Sequence, residues 1–204
     1  MKAWTVRRRG VRPDRRSRWA EAATRLGGTL VEGKRSSADR VDVGHGPWTV
    51  TLDTYVVSTG NTAVTYTRAR AFAPGWRGLR LTVRRRNWLD RLAEALGWAS
   101  RLPVARPLTE RYVVKGKPPS RVPSVFADAE LGGRILDLQS VRLEVKRPSR
   151  KERRRHGESA AEVTCRTTGV ILDVERLVGM VDVVRSTLDA LQRVGEVGVG
   201  GAAR

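Results

Sequence analysis

The chain has 204 residues, and its 40 lysines and arginines outnumber its 21 aspartates and glutamates, which gives a net charge of +19. An apolar fraction of 40% favours a folded core over wholesale disorder. The single cysteine, Cys165, excludes an intramolecular disulfide framework. The sequence has neither a signal-peptide pattern nor an apolar run of about 18 residues, so we expect a soluble, cytoplasmic protein without a transmembrane segment.

The positive charge is concentrated in residues 1–18, 77–86 and 146–155, which together carry 18 of the 19 net charges. The remaining 166 residues hold 20 basic and 19 acidic side chains. Such segregation indicates an anionic partner more than an even spread would. A second interpretation stays open, because only six of the 40 cations are lysines. That bias is typical of a GC-rich genome, which would make the same runs solvated loops.

The N-terminal residues 1–16 lack apolar periodicity and are predicted to form a basic flexible tail. From Ser17 to Leu26, apolar residues recur at spacings of three and four, which predicts a short helix. The following Gly27-Gly28 supplies a left-handed helix end.

Residues 48–72 alternate strictly between apolar and polar side chains, and the alternation breaks at residues 58–62. The pair Gly60-Asn61 suits a type II′ turn, so the segment is predicted to be a β-hairpin. Turn chemistry, alternation and charge pairing select one register, since a slip of one residue would exchange the two faces. In this register the facing pairs include Asp53 with Arg68 and Tyr55 with Tyr66.

Two further strands are predicted on either side of the hairpin, at residues 41–43 and 79–83. A helix should follow from Asn87, with Asp90 completing an imperfect capping box, and should end at Gly97. Its apolar stripe would be Leu89, Leu92, Ala93 and Leu96.

After a weak internal boundary near residues 100–109, the second half repeats the mixture of elements. Strands are predicted at 111–115, 141–145 and 161–168, with a turn at Pro118-Pro119 and two short helical pieces after it. The last two strands would form a hairpin, and the basic run 146–155 would be the loop joining them.

The longest helix is predicted to begin after the capping residue Asp173 and to end near Val194. Residues 195–204 should form a flexible C-terminal tail. The helix should bury Leu177, Val181, Val184, Leu188 and Leu191 against a sheet, and should turn Arg176, Arg185 and Arg193 to solvent.

Together these elements predict an α+β fold, with one or more antiparallel β-sheets packed against helices. Residues 17–194 would form a single domain, with two pseudo-similar halves as an alternative arrangement. Strands and helices do not alternate as in a doubly wound parallel sheet.

The run from Trp48 through Tyr55 to Gly60, followed by residues 65–68, resembles a family of uncharacterised bacterial proteins of this size. In those proteins a helix ending in Gly-Gly precedes a similar hairpin. The stretch Tyr112–Gly116 and the helix entry Gly169–Asp173 are also similar. The resemblance implies the fold outline and implies no activity or site residue.

The residues that carry chemistry are few and scattered. His45, His156 and Cys165 are far apart and do not have metal-ligand spacing, so we expect no metal, no cofactor and no catalytic site. Cys165 alternates with Val163 in a strand and is predicted to be a buried apolar residue. We therefore predict a protein that is not an enzyme, with a hidden nucleophilic site as the weakest alternative.

The leading functional hypothesis is a non-enzymatic module that contacts an anionic partner, either nucleic acid or an anionic membrane surface. Arginine favours nucleic acid, because its planar group donates two parallel hydrogen bonds to phosphate. The two clusters would form one patch if the strand ends at Val83 and Val145 lie at the same sheet edge. The alternative is a protein–protein interaction or scaffold domain whose basic stretches are solvated loops. The candidate binding residues are Arg84, Arg85, Arg86, Arg153, Arg154 and Arg155.

Overall fold

The computed structural model of the protein describes residues 14–33, 38–95 and 102–198, which form eight strands and seven α-helices. The α+β prediction is confirmed, because all eight strands pair antiparallel in one sheet. No helix within the described ranges is long and apolar enough to cross a membrane. The strands are β1 (Thr29–Val31), β2 (Arg40–His45), β3 (Trp48–Thr59), β4 (Thr62–Ala73), β5 (Arg80–Arg85), β6 (Tyr112–Lys117), β7 (Arg142–Lys146) and β8 (Ala161–Thr168). The helices are α1 (Arg15–Leu26), α2 (Trp88–Ala95), α3 (Arg106–Arg111), α4 (Val122–Val125), α5 (Ala129–Asp137), α6 (Arg150–His156) and α7 (Val174–Arg193).

The strand order is β1-β2-β3-β4-β8-β7-β5-β6, so both halves of the chain contribute to one sheet. Strand β5 comes before the predicted boundary near residues 100–109, yet it lies between β6 and β7, which come after it. Strand β8 in turn pairs with β4. The predicted boundary therefore does not divide the sheet.

One face of the sheet, the inner face, is apolar and packs against α1, α5 and α7. Side chains that alternate along β3, β4 and β8 meet there, including Leu52, Ala69 and Cys165, which are fully buried. The opposite face, the outer face, carries polar and charged side chains. This division follows from the two-residue period of a strand, which sends neighbouring side chains to opposite faces.

The hairpin of β3 and β4 has the predicted register. Asp53 lies opposite Arg68, Tyr55 lies opposite Tyr66, and Gly60 in the turn has a φ of +60°. Arg68 Nε donates to Asp53 Oδ1 at 2.7 Å. Cross-strand charge pairing thus agrees with the turn geometry, as the sequence predicts.

Helix α7 also confirms its prediction, because Asp173 Oδ1 accepts a hydrogen bond from the Arg176 backbone N–H at 3.0 Å and caps the helix. The predicted apolar stripe is buried. Two arginines differ from expectation. The guanidinium groups of Arg176 and Arg185 are half-buried because they donate to Thr167 Oγ1 at 3.0 Å and to the Gly44 carbonyl at 3.2 Å, respectively.

The predicted termini of the domain need correction at both ends. Helix α1 begins at Arg15, inside the predicted tail 1–16, and Arg15 Nη2 donates to Thr54 Oγ1 of β3 at 3.0 Å, which ties the first turn to the sheet. Residues 1–13 lie outside the described residues, as do 199–204 of the predicted C-terminal tail. At that end Glu196 is buried and pairs with Arg121 at 2.8 Å, so residues 195–198 belong to the packed domain.

The basic run 146–155 is largely helical rather than a loop. Ser149 caps α6 reciprocally with Glu152: the Ser149 hydroxyl accepts from the Glu152 N–H, and the Glu152 carboxylate accepts from the Ser149 N–H. This capping box satisfies backbone donors at the start of the helix. Helix α3, which the sequence did not predict, precedes β6 directly.

Candidate polyanion-binding surface

The three arginines at the end of β5 do not act as one cluster. Arg84 lies on the outer face, and both of its terminal nitrogens donate to the Asp90 carboxylate, at 2.5 and 2.7 Å. This pairing is the main reason that the pKa of Asp90 is lowered to about 2. Arg85 is the register partner of buried Tyr112 and therefore lies toward the inner face. Arg86 Nη2 donates to the Thr109 carbonyl at 2.7 Å.

The arginines of α6 also differ from one another. Arg153 is mostly buried. Its side chain donates to Glu158, which follows the helix, at 3.0 Å and to the carbonyl of Pro148, which precedes it, at 2.9 Å. Arg154 and Arg155 are exposed, and no carboxylate among the described residues lies within 4.0 Å of either. Of the predicted residues Arg153–Arg155, only Arg154 and Arg155 are therefore available to an external anion.

The structure does not bring Arg84–Arg86 and Arg153–Arg155 into one patch. Strands β5 and β7 are antiparallel neighbours, with Leu81 opposite Val145 and Arg84 opposite Arg142. Because their C-terminal ends point in opposite directions, Val83 and Val145 lead to opposite ends of the sheet. The geometrical condition for a shared patch is therefore not met.

An unexpected row of arginines crosses the centre of the outer face. Its members occupy directly opposed positions on four adjacent strands. Like charges placed opposite each other across strands are destabilising, so such a row needs compensation. We name it the arginine row; it consists of Arg84, Arg142, Arg166 and Arg68.

Three carboxylates supply this compensation: Asp90 pairs with Arg84, and Asp53 with Arg68. Between them, Glu144 lies 2.7 Å from Arg142 and 3.7 Å from Arg166. Every member of the arginine row thus has a carboxylate within 4.0 Å. The row is largely neutralised inside the protein.

Two aromatic rings beside the arginine row are covered by guanidinium groups of the row. The rings of Tyr55 and Tyr66 stack at a centroid distance of 5.3 Å. Arg68 lies 4.4 Å over the ring of Tyr55, and Arg166 lies 5.5 Å over that of Tyr66. Guanidinium groups already occupy positions over these rings, where a nucleobase would otherwise stack.

Helix α6 lies on the outer face at the other end of β4. Glu152 accepts from Arg70 at 2.9 Å, and the ring of His156 stacks on Phe72 at 4.0 Å. The pKa of His156 is lowered, first because burial disfavours the charged ring, and further because Arg70 and Arg155 are close. These contacts fix which side of the helix faces away from the sheet.

Cations with few acidic partners gather where α6 meets the end of the sheet. Arg80 on β5 lies opposite Lys117 on β6. On the other side of β5, Leu81 pairs with Val145 of β7, so the next residue of β7, Lys146, lies beside Arg80. Beyond Arg147, the side chains of α6 that face away from the sheet are exposed cations and extend this surface. We name it the basic edge; it comprises Arg80, Lys117, Lys146, Arg147, Arg150, Lys151, Arg154 and Arg155.

Two carboxylates reach the basic edge. Glu158 lies 3.5 Å from Arg147, and Glu162 lies 3.8 Å from Lys146. The other six cations have no carboxylate within 4.0 Å among the described residues. The predicted residues Arg154 and Arg155 belong to this surface, whereas Arg84–Arg86 lie at the opposite end of β5.

Cys165 is fully buried, and burial raises the pKa of its thiol to about 12. Because the thiolate is the nucleophilic form, this environment makes the residue inert. His45 contacts Asp189 at 2.8 Å and is not near Cys165 in the sheet. In the described part of the chain, no three His, Cys, Asp or Glu side chains are grouped so that they could hold a metal ion.

A thiol-labelling measurement tests the burial of Cys165. We expect the native protein to react with an aromatic disulfide reagent at about pH 8 at least ~10³-fold more slowly than the denatured chain, since labelling requires opening of the core. Denatured protein gives the reference rate. Rapid labelling of the native protein would contradict the placement of β8 at the centre of the sheet.

Comparisons of the chain with protein-family models, with curated proteins and with solved structures found no match. Function is therefore inferred from the residues and their geometry.

Proposed function

We propose that the protein is a non-enzymatic module that binds the phosphate backbone of a nucleic acid through the basic edge. The observation that supports this most is the unequal distribution of carboxylates on the outer face. Every cation of the arginine row has an acidic partner, whereas six of the eight cations of the basic edge have none. Uncompensated cations on one surface raise the local concentration of a polyanion.

The cations of the basic edge follow one another along the end of the sheet and onto α6. Lys117, Arg80 and Lys146 occupy three adjacent strands, and neighbouring strands are about 4.8 Å apart. Helix α6 extends the line with four exposed cations, three of them arginines. Arginine can contact each phosphate with two parallel hydrogen bonds.

The composition of the basic edge favours nucleic acid over an anionic membrane. Peripheral membrane helices combine cations with apolar side chains that enter the lipid. The large exposed apolar residues of the described chain lie elsewhere, in the β3–β4 hairpin, in α2 and before α7. Binding at the basic edge would therefore be purely electrostatic and sequence-independent.

A salt series tests this proposal with a fourfold variant, R150Q/K151Q/R154Q/R155Q. For the parent protein, the logarithm of the association constant for duplex DNA should fall linearly with the logarithm of salt concentration. Each neutralised phosphate contributes about −0.9 to the slope. We expect the variant to lose about 3 units of slope, because up to four phosphate contacts are removed. Fluorescence anisotropy measures both.

The matched control is R16Q/R25Q/R106Q/R193Q, which removes the same charge from exposed positions on α1, α3 and α7. Its slope should stay close to that of the parent. An equal loss in both variants would show that net charge alone attracts the DNA. Absence of DNA binding even at low salt would overturn the proposal. So would a protein that binds anionic vesicles but not DNA, since the basic edge would then be a membrane-binding surface.

One observation favours the alternative function, protein–protein interaction. Helix α2 exposes three large apolar side chains: Trp88 is 71% exposed, Leu89 52% and Leu92 51%. The sequence predicts an apolar stripe for this helix, but within the described residues its leucines have no core to pack against. If the salt series showed no binding of DNA, α2 would be favoured as the functional surface.

A further inference from the structure

A cleft separate from the basic edge opens where β5 ends. Strand alternation sends Arg84 to the outer face and Arg85 toward the helices. The pairing partner of Arg85 is Tyr112, whose hydroxyl donates to the Ile135 carbonyl and anchors this end of the sheet to α5. Arg85 thus lies beyond the last core residues, at the entrance to the space between β5, α3 and α5.

A cavity of about 350 Å³ occupies this space and is lined by Arg85, Arg86, Arg111, Glu110 and Gln139. Arg86 is held in place, because its backbone N–H donates to the Arg111 carbonyl at 2.9 Å and its Nη2 to the Thr109 carbonyl at 2.7 Å. Arg85 and Arg111 outnumber the one carboxylate of the lining, Glu110, so the cavity favours an anion. A guanidinium group can donate two parallel hydrogen bonds to the oxygens of a phosphate.

Among the described residues other than glycine, only Gln139 has a positive φ, of +58°. This left-handed conformation follows the last turn of α5, as it does at many helix C-termini. Its side chain is exposed and lines the cavity, where the amide offers both a donor and an acceptor.

A second cavity of about 510 Å³ adjoins the first, and Arg85 and Gln139 line both. Its wall is rich in oxygen acceptors. Asp173 already caps α7, and Asp182 lies 3.5 Å from Arg134. Asp137, by contrast, is exposed and has no cation within 4.0 Å among the described residues. A carboxylate of this kind accepts hydrogen bonds from hydroxyl groups.

We propose that these two cavities form one binding site for a phosphate monoester of a polyhydroxylated molecule, such as a phosphorylated sugar or a mononucleotide. The phosphate lies in the smaller cavity against Arg85 and Arg111. The hydroxyl-bearing body crosses Gln139 and enters the larger cavity, where Asp137 accepts from it. The combined volume is in the range of sites for small ligands.

Isothermal titration calorimetry of the full chain at constant ionic strength tests the site with three probes: inorganic phosphate, ribose 5-phosphate and AMP. Ribose 5-phosphate and AMP should bind at least about tenfold more tightly than inorganic phosphate, because each charge-assisted hydrogen bond to the body adds about that factor. R85Q/R111Q should weaken all three by about tenfold or more. D137N should weaken ribose 5-phosphate and AMP and leave inorganic phosphate unchanged.

The control is R16Q/R106Q, which removes two exposed arginines of α1 and α3 that line neither cavity and so matches the charge change of R85Q/R111Q. It should bind all probes like the parent, and circular dichroism checks that each variant is folded. Absence of saturable binding of any probe at millimolar concentration would overturn the proposal. Equal affinity for inorganic phosphate and ribose 5-phosphate would overturn the assignment of the larger cavity. Equal weakening in R16Q/R106Q and R85Q/R111Q would show that net charge alone accounts for binding, which would overturn the site.

Discussion

Replacing Leu188 by alanine is expected to lower the free energy of unfolding by about 2–5 kcal/mol. Leu188 is fully buried in the C-terminal half of α7, the helix that packs against β3, β4 and β8. The substitution removes three buried carbons, Cγ and the two methyl groups, and leaves a cavity in the core. Urea denaturation followed by circular dichroism measures the loss.

The control for Leu188→Ala is Gln192→Ala, an exposed position one turn later on the same helix. It should change stability by less than about 0.5 kcal/mol. Cys165 labelling gives an independent probe, since the thiol lies in the same core. If Leu188→Ala cost no more than the control, the apolar stripe of α7 would face a partner instead of the sheet, which would favour the scaffold function.

The β3–β4 hairpin could be predicted to the residue because all of its information is local. Gly60 permits the positive φ of the turn, and two-residue alternation then fixes which residues face each other. The ion pair of Asp53 with Arg68 adds a third, consistent signal. Local agreement of this kind is characteristic of segments that specify their own structure.

Helix α6 was not predicted, although a usable signal was present. The pattern Ser149-x-x-Glu152 is a capping box, and it stands immediately before the run of cations. High charge suggested a solvated loop. Recognising the box would have separated Glu152, which faces Arg70, from Arg154 and Arg155, which face solvent.

The division between neutralised and free cations could not be predicted from the sequence. Arg166 is neutralised by Glu144, and Arg70 by Glu152, across strands and helices that are distant in the chain. The first pair depends on the register of β7 with β8, and the second on the pairing of β8 with β4, which brings α6 over β4; no local pattern encodes either. For the same reason Arg80 was not recognised as a neighbour of Lys117.

Replacing Trp19 by alanine is expected to cost about 3–5 kcal/mol, the upper end of the range for a single core residue. Trp19 is fully buried in α1, and its indole Nε1 donates to the Ile171 carbonyl at 3.0 Å, just before α7. Arg15 lies 4.8 Å over the ring. The side chain therefore connects the first helix of the domain to the approach to the last one.

Trp19→Phe separates the two contributions of this residue, because it keeps most of the apolar surface and removes the N–H donor. The Ile171 carbonyl would then be left buried without its partner, which costs about 1–3 kcal/mol. Thr24→Ala, at an exposed position of the same helix, should be almost neutral. Chemical denaturation orders the three variants. A loss for Trp19→Ala no larger than that for Thr24→Ala would mean that α1 is an accessory segment, and the packed domain would then begin at β1.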